Sequence, residues 1–125
     1  MESASKTILL VGQNLFFLGR VDAIAEQLGH EAHRAATESD FKEKARDHRL
    51  ALVIVDLEGD ESIWVTVLED IKNNRTGIKS VAFGPHENVA ALKQARDLGC
   101  SLVLTKGEFN RDLPRIIEEI AILNC

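Results

Sequence analysis

The chain is poor in the residues that staple or punctuate small proteins: two cysteines, two prolines, one tryptophan and no tyrosine in 125 residues. Cys100 and Cys125 stand far apart, with no CxxC and no paired histidine spacing. Neither a disulfide framework nor a zinc site is therefore expected, and a reducing, cytoplasmic setting is. Basic charge is also scarce. Fifteen Lys and Arg face twenty Asp and Glu, for a net charge of -5, which leaves no footprint for nucleic acid or an anionic membrane surface. Met1–Lys6 has no basic segment leading into an apolar one, and no run approaches the roughly 18 apolar residues of a membrane span. What the chain does have is apolar residues, 45% of the total, enough for one core without metal or disulfide support. No linker, repeat or low-complexity tract divides it, so residues 1–125 read as a single domain whose partners are expected to be proteins or small molecules.

Short apolar runs alternate with stretches of helical spacing, the pattern of βαβ units closing a parallel sheet. The strands are expected at Lys6–Gly12, His30–Ala36, Leu50–Leu57, Lys79–Phe83 and Cys100–Thr105. LALVIVDL at Leu50–Leu57 is the most apolar and reads as central, whereas HEAHRAA at His30–Ala36 is polar and suits an edge. The first helix is expected to be capped by Asn14 and to bury Phe17, Val21, Ile24 and Leu28, with Gly29 as its stop. Thr37 opens a weakly anchored second helix on Phe41 and Ala45. Ser62 is expected to cap a third helix burying Ile63, Val67, Leu68 and Ile71, with Trp64 at the edge of the stripe. Asn88 is expected to cap a fourth carrying Val89, Leu92, Ala95 and Leu98. The last helix, Asn110–Leu123, would bury Leu113, Ile116, Ile117 and Ile120, with Pro114 tolerated in its first turn. The fold class is thus α/β: a doubly wound, five-stranded parallel sheet of flavodoxin-like order 2-1-3-4-5 with five helices on two faces.

In such a sheet, loops at the carboxyl ends of the strands gather over the switch point between strands one and three. They carry Gly12, Gln13 and Asn14; Asp56, Glu58, Asp60 and Glu61; Gly84, Pro85 and His86; and Lys106 and Gly107. Asp56 and Lys106 each end an apolar strand and are expected to converge, either as a phosphoryl-accepting pair or as an ion pair that closes the sheet edge. The acidic run from Glu58 lacks calcium-loop spacing and reads as solvated surface. His30 and His33, three apart on a strand, would point to opposite faces and share no metal. No Ser-His-Asp, Cys-His or GxSxG arrangement can be assembled, and Gly12-Gln13-Asn14 lacks both GxGxxG and a P-loop lysine, so neither catalysis nor nucleotide binding is expected. Phe16, beside Phe17, is in excess of the core stripe and is either a contact residue or packed on a neighbouring loop.

On LALVIVDL and GCSLVLTKGEF the chain resembles the receiver domain of two-component response regulators, the CheY-like fold, over nearly its whole length. The resemblance implies Asp56 as the phosphoacceptor position and Lys106 as its phosphate-binding lysine. It also exposes departures. The acidic pair that holds Mg²⁺ in receivers is matched by Gly12 and Gln13, the hydroxyl residue after strand four by Gly84, and the aromatic of strand five by Val103. Gly107 stands where a proline usually follows the lysine, and Gly59-Asp60 replaces the usual Met-Pro. Without the acidic pair, tight Mg²⁺ binding is not expected, and phosphoryl transfer would slow on the order of 10³-fold or more. The resemblance therefore implies a degenerate, pseudo-receiver form: a non-enzymatic signalling or scaffold module acting through a protein partner, including a second copy through helix four, strand five and helix five. Two alternatives stay open: an atypical receiver phosphorylated on Asp56, and a small-ligand sensor with Gln13, Asn14, Gly84 and His86 around the crevice. The same residues also suit one domain cut from a larger regulator.

Overall fold

The computed structural model describes residues 5–123, with side chains to residue 120; Cys125 and the first four residues lie outside the described residues. Five parallel strands, β1 (Thr7–Val11), β2 (Glu31–Ala35), β3 (Leu50–Asp56), β4 (Lys79–Gly84) and β5 (Leu102–Thr105), form one sheet in the order β2-β1-β3-β4-β5. The helices are α1 (Leu15–Gln27), α2 (Glu38–Lys44), α3 (Glu61–Asn74), α4 (Val89–Asp97) and α5 (Lys106–Leu123). β1 and β3 are buried along their whole length, because both sheet faces are covered and strand residues alternate between two cores. Ile8, Leu10, Leu52 and Ile54 pack with α1 and α5, whereas Leu9, Val11, Val53 and Val55 pack with α2, α3 and α4. β2, polar and mostly exposed, is indeed an edge.

Several boundaries differ from the sequence reading, each for a local reason. α3 is capped by Asp60, not Ser62: the Asp60 carboxylate accepts from the Ser62 backbone N–H at 2.9 Å and from its hydroxyl at 2.7 Å. Trp64, three residues before Val67, shares the core stripe with Val67, Leu68 and Ile71, so it is 2% exposed instead of lying at an edge, and Ile63 is only half-buried. In α1 the buried positions are Phe17, Val21 and Ala25; Leu28 is the exposed C-cap. In α4, Ala91 is buried and Val89, just after the Asn88 cap, is 66% exposed. Cys100 lies outside β5, and Gly84 extends β4 by one residue through its pairing with Thr105. His30 precedes β2 and is buried, its Nδ1 accepting the Lys6 backbone N–H at 3.0 Å, so the opposite-face reading of His30 and His33 does not apply.

α5 starts four residues earlier than the sequence pattern suggested. Thr105-Lys106-Gly107-Glu108 is a capping box: the Thr105 hydroxyl accepts from the Glu108 backbone N–H at 3.2 Å, and the Glu108 carboxylate accepts from the Thr105 N–H at 2.9 Å. The extra turn buries Phe109, which stacks on Phe83 with centroids 4.4 Å apart and meets Phe17 edge-on at 5.1 Å. It also places Pro114 inside the helix instead of in its first turn. Proline has no N–H to offer the carbonyl four residues back. Arg20 of α1 supplies the missing donor, its Nη2 lying 2.8 Å from the Asn110 carbonyl oxygen. Replacing Arg20 with Ala is expected to destabilise the fold by about 1 kcal/mol in the wild-type background and by clearly less beside Pro114→Ala, which restores the helix's own donor. Urea unfolding of the two single variants and the double variant measures that coupling.

Candidate functional site

The register pairs Val11 with Val55 and Gly84 with Thr105, which sets Gly12 beside Asp56 and Lys106 just beyond the end of β4. Asp56 closes a fully buried strand and is itself 5% exposed. Its Oδ1 accepts the Glu58 backbone N–H at 2.9 Å, while no donor among the described residues meets Oδ2. Burial pushes the Asp56 carboxyl above the usual carboxylate range, opposed by that N–H, reinforced by the nearby Glu58 charge and offset by Lys106.

Asp56 and Lys106 do not form the ion pair that their positions suggested. The Lys106 ammonium is taken by the Glu58 carboxylate, a bond that holds the lysine's pKa above its ordinary value. The physical reason lies in solvation. Glu58 is roughly half exposed on the loop after β3 and its charge costs little to keep, whereas the sunken Asp56 is the costlier anion. By spacing alone, Glu58 reads only as part of a solvated acidic loop. The clue to its role is its place two residues beyond the aspartate, on the rim facing the β5–α5 junction.

Of the positions matching the receiver's metal and switch residues, Gly12 is packed against the aspartate and Gly84 against its neighbour Leu57. Gly12 has φ +143°, and a Cβ there would lie 2.8 Å from the Asp56 Cβ, closer than atoms tolerate, so both backbone conformation and space require glycine. Gln13 next to it is exposed. A Cβ on Gly84 would sit 3.2 Å from the Leu57 Cβ, so a hydroxyl residue there would have to push Leu57 aside by a few tenths of an ångström. Val103 is half-buried and packs into the core beneath α4.

A cavity of about 280 Å³ opens beside Asp56, walled by Gly12, Gln13, Glu58, Asp60, Ile63 and Trp64 among others. The indole N–H of Trp64 is buried without a hydrogen-bond partner. Sequence reasoning missed Trp64 as a wall residue, although its spacing to Val67, Leu68 and Ile71 already marks it as inward-facing. The structure does not assemble Gln13, Asn14, Gly84 and His86 into one crevice. Asn14 caps α1 through a bond from the Phe17 N–H, Gly84 is buried, and His86 lines a separate, more open depression with Pro85, Glu87, Thr105, Lys106 and Gly107. Glu58 borders both spaces. Phe16 is 65% exposed and touches the Phe17 ring edge-on.

Solved structures of the same shape are numerous. The CheY-like response regulator receiver domain protein from Methanospirillum hungatei JF-1 aligns with a TM-score of 0.78 at 22% identity, covering 97% of each chain. The chain has the fold of a receiver domain. A response regulator from Thermotoga maritima aligns at 0.77 with 16% identity, over 95% of this chain and 99% of the other. An orphan response regulator of H. pylori aligns at 0.74 with 16% identity, over 99% and 100%. No family model matches this sequence, and no curated protein matches it. Among the described residues of this receiver-like chain, no group of three or more His, Cys, Asp or Glu is placed to hold a metal ion. No helix among them is long and apolar enough to cross a membrane.

Two outcomes follow from this geometry. A folded-state acid with a raised pKa keeps protons that the unfolded chain has released, so stability falls as pH rises above the ordinary aspartate value of about 3.9 and stays lower beyond the folded value. Asp56→Asn keeps the acceptor for the Glu58 N–H and removes that charge. It is expected to raise the melting temperature at pH 7, the gain vanishing below pH ~3.5, as thermal melts across pH will show. Gly12→Ala, by contrast, is expected to cost about 2–4 kcal/mol at any pH through strain at φ > 0 and the clash with Asp56, measurable by urea unfolding.

Proposed function

We propose that the chain is a receiver-fold interaction module that works without Mg²⁺-dependent phosphorylation of Asp56. It is not an enzyme, and its output is the binding of a protein partner. The observation that carries this reading is the closure at Gly12. Mg²⁺ needs near-octahedral oxygen ligation, normally with one or two carboxylates. Where a receiver supplies an acid, this backbone runs so close to Asp56 that no side chain fits. The loss is built into the main chain, and a single substitution to Asp would not repair it. The occupied lysine supports the same reading: an ammonium paired with Glu58 is already neutralised and would have to be released before serving a phosphoryl group. With Gly84 and Val103 in the switch positions, no hydroxyl or ring stands ready to relay a change at Asp56.

The partner surface we assign is α4, β5 and α5. Val89 is an exposed apolar residue at the start of α4, and an exposed Lys93–Asp97 pair at 2.9 Å follows it on the same helix. Exposed pairs of this kind contribute little to folding, about 0.3–0.5 kcal/mol, and are free to exchange for contacts across an interface. A second copy of the chain would use this face as readily as another protein.

The deciding experiment incubates the protein with Mg²⁺ and acetyl phosphate, or with Mg²⁺ and beryllofluoride, and follows backbone amide shifts. The expected result is no saturable change around Asp56. Saturable shifts centred on Asp56 and Lys106 would establish the alternative, an atypical receiver that accepts phosphate.

A further inference from the structure

Of the four large apolar side chains exposed among the described residues, two stand side by side in the first turn of α1, Leu15 and Phe16. Further along, the outer side of the same helix is made of small residues. Gly19 and Ala23 are both exposed, and a Cβ at Gly19 would meet nothing within 4 Å. The monomer therefore has no use for a glycine there, although glycine in mid-helix is destabilising relative to alanine. What a bare backbone offers at that point is close approach to a body outside the chain.

Charge on this face is sorted along the helices. α1 and α5 are joined by the Arg20–Asn110 bond, and each follows a strand of a parallel sheet, so both run from its carboxyl edge back to its amino edge. Toward the carboxyl edge α5 exposes Arg111 and Arg115, which share one partly buried carboxylate, Asp112. Toward the amino edge come Asp22 and Glu26 on α1 and Glu118 and Glu119 on α5. All four acids are exposed, and none is in an ion pair among the described residues. Exposed charges on other helices pair within the helix, as Lys42 does with Glu38 and Lys93 with Asp97. The unpaired acids stand instead in the halves of α1 and α5 where helix carbonyls already place partial negative charge, and neither last turn holds a basic residue. The face is positive and apolar at one end, negative at the other, and small in between. Turned end for end, it matches itself.

We propose that the outer sides of α1 and α5 form a self-association surface, on which a second copy of the chain packs antiparallel about a two-fold axis. In such an isologous contact residue i meets j and j meets i. Gly19 of each copy lies near Ala23 of the other, and the Leu15–Phe16 end of each α1 covers the small-residue stretch opposite. Arg111 and Arg115 of each α5 face Glu118 and Glu119 of the other. A second copy is the occupant that needs no further assumption, because this chain itself carries the complement. The inference goes beyond the functional reading by giving the second copy a face apart from α4 and β5, so a dimer still presents those elements to a partner.

Sedimentation velocity on the full chain, from about 10 μM to about 1 mM, reads the association. The expected result is a reversible monomer–dimer equilibrium, weakened by about 0.5 M salt and weakened roughly tenfold or more by Phe16→Ser and by Gly19→Gln. Gly19→Gln puts its side chain into open space, so the fold is expected to hold while the close approach is lost. Reversing one end of α5 with Arg111→Glu and Arg115→Glu, or the other with Glu118→Lys and Glu119→Lys, is expected to leave monomers, and mixing the two doubly substituted chains to restore a dimer. A chain that stays monomeric across the range overturns the proposal and leaves the face to a different protein. A dimer that Gly19→Gln and the charge reversals leave intact also overturns it, and places the contact on another surface. Neither outcome bears on phosphorylation at Asp56, so this proposal and the functional reading fail separately.

Discussion

The molecule is organised around a carboxylate that the fold sinks at the end of its central strand, beside a small open cavity. Asp56 ends the central strand, in which every residue is buried, and Gly12 lets the neighbouring strand's exit pass against its Cβ. Each side of that arrangement requires the other. A residue with a side chain at position 12 would be strained at φ +143° and would push the β1–α1 loop away from Asp56. With glycine there, the loop lies flat, Asn14 reaches its capping position, and Phe17 drops into the aromatic cluster with Phe83 and Phe109. The closeness that leaves no room for a side chain at position 12 is thus the same closeness that seats the first helix.

Charge around the edge is arranged accordingly. Glu58 sits between two depressions and holds the lysine, leaving Asp56 with the Glu58 backbone N–H as its donor among the described residues and only a longer-range attraction to the ammonium. Because Glu58 and Lys106 remain largely solvated, their pairing adds little to stability. Its effect is on availability: the ammonium is spoken for, but weakly, and a competing group of either sign could rearrange the rim without disturbing the core beneath.

Most of the fold was legible because two strong periodicities agreed. The apolar run LALVIVDL read as a central strand covered on both sides, and the polar HEAHRAA suited an edge better than a central position. What stayed hidden depended on single hydrogen bonds. Asp60 and Ser62 are both good caps, and only the bonds that Asp60 accepts from Ser62 decide between them. The capping box at Thr105 and Glu108 was written in the sequence as T-x-x-E, but the following glycine and the later Pro114 masked it. The convergence of the Asp56 and Lys106 loops over one edge was legible from strand ends alone. The partner of Lys106 was not, since it depends on which of two acids is less costly to leave charged. Nor could spacing reveal that Gly12 is sterically obligatory, because that follows from a backbone angle and a contact across strands.

The outer strands carry a consequence of their own. β2 presents Glu31, His33 and Arg34 to solvent, with Glu31 bridged to Arg49 at 3.0 Å, and β5 at the opposite margin is only four residues long. A foreign strand laid along β2 would have to strip water from that charged row, and one laid along β5 would find too few rungs. Ladder extension into fibres or strand-swapped assemblies is thereby disfavoured at both margins.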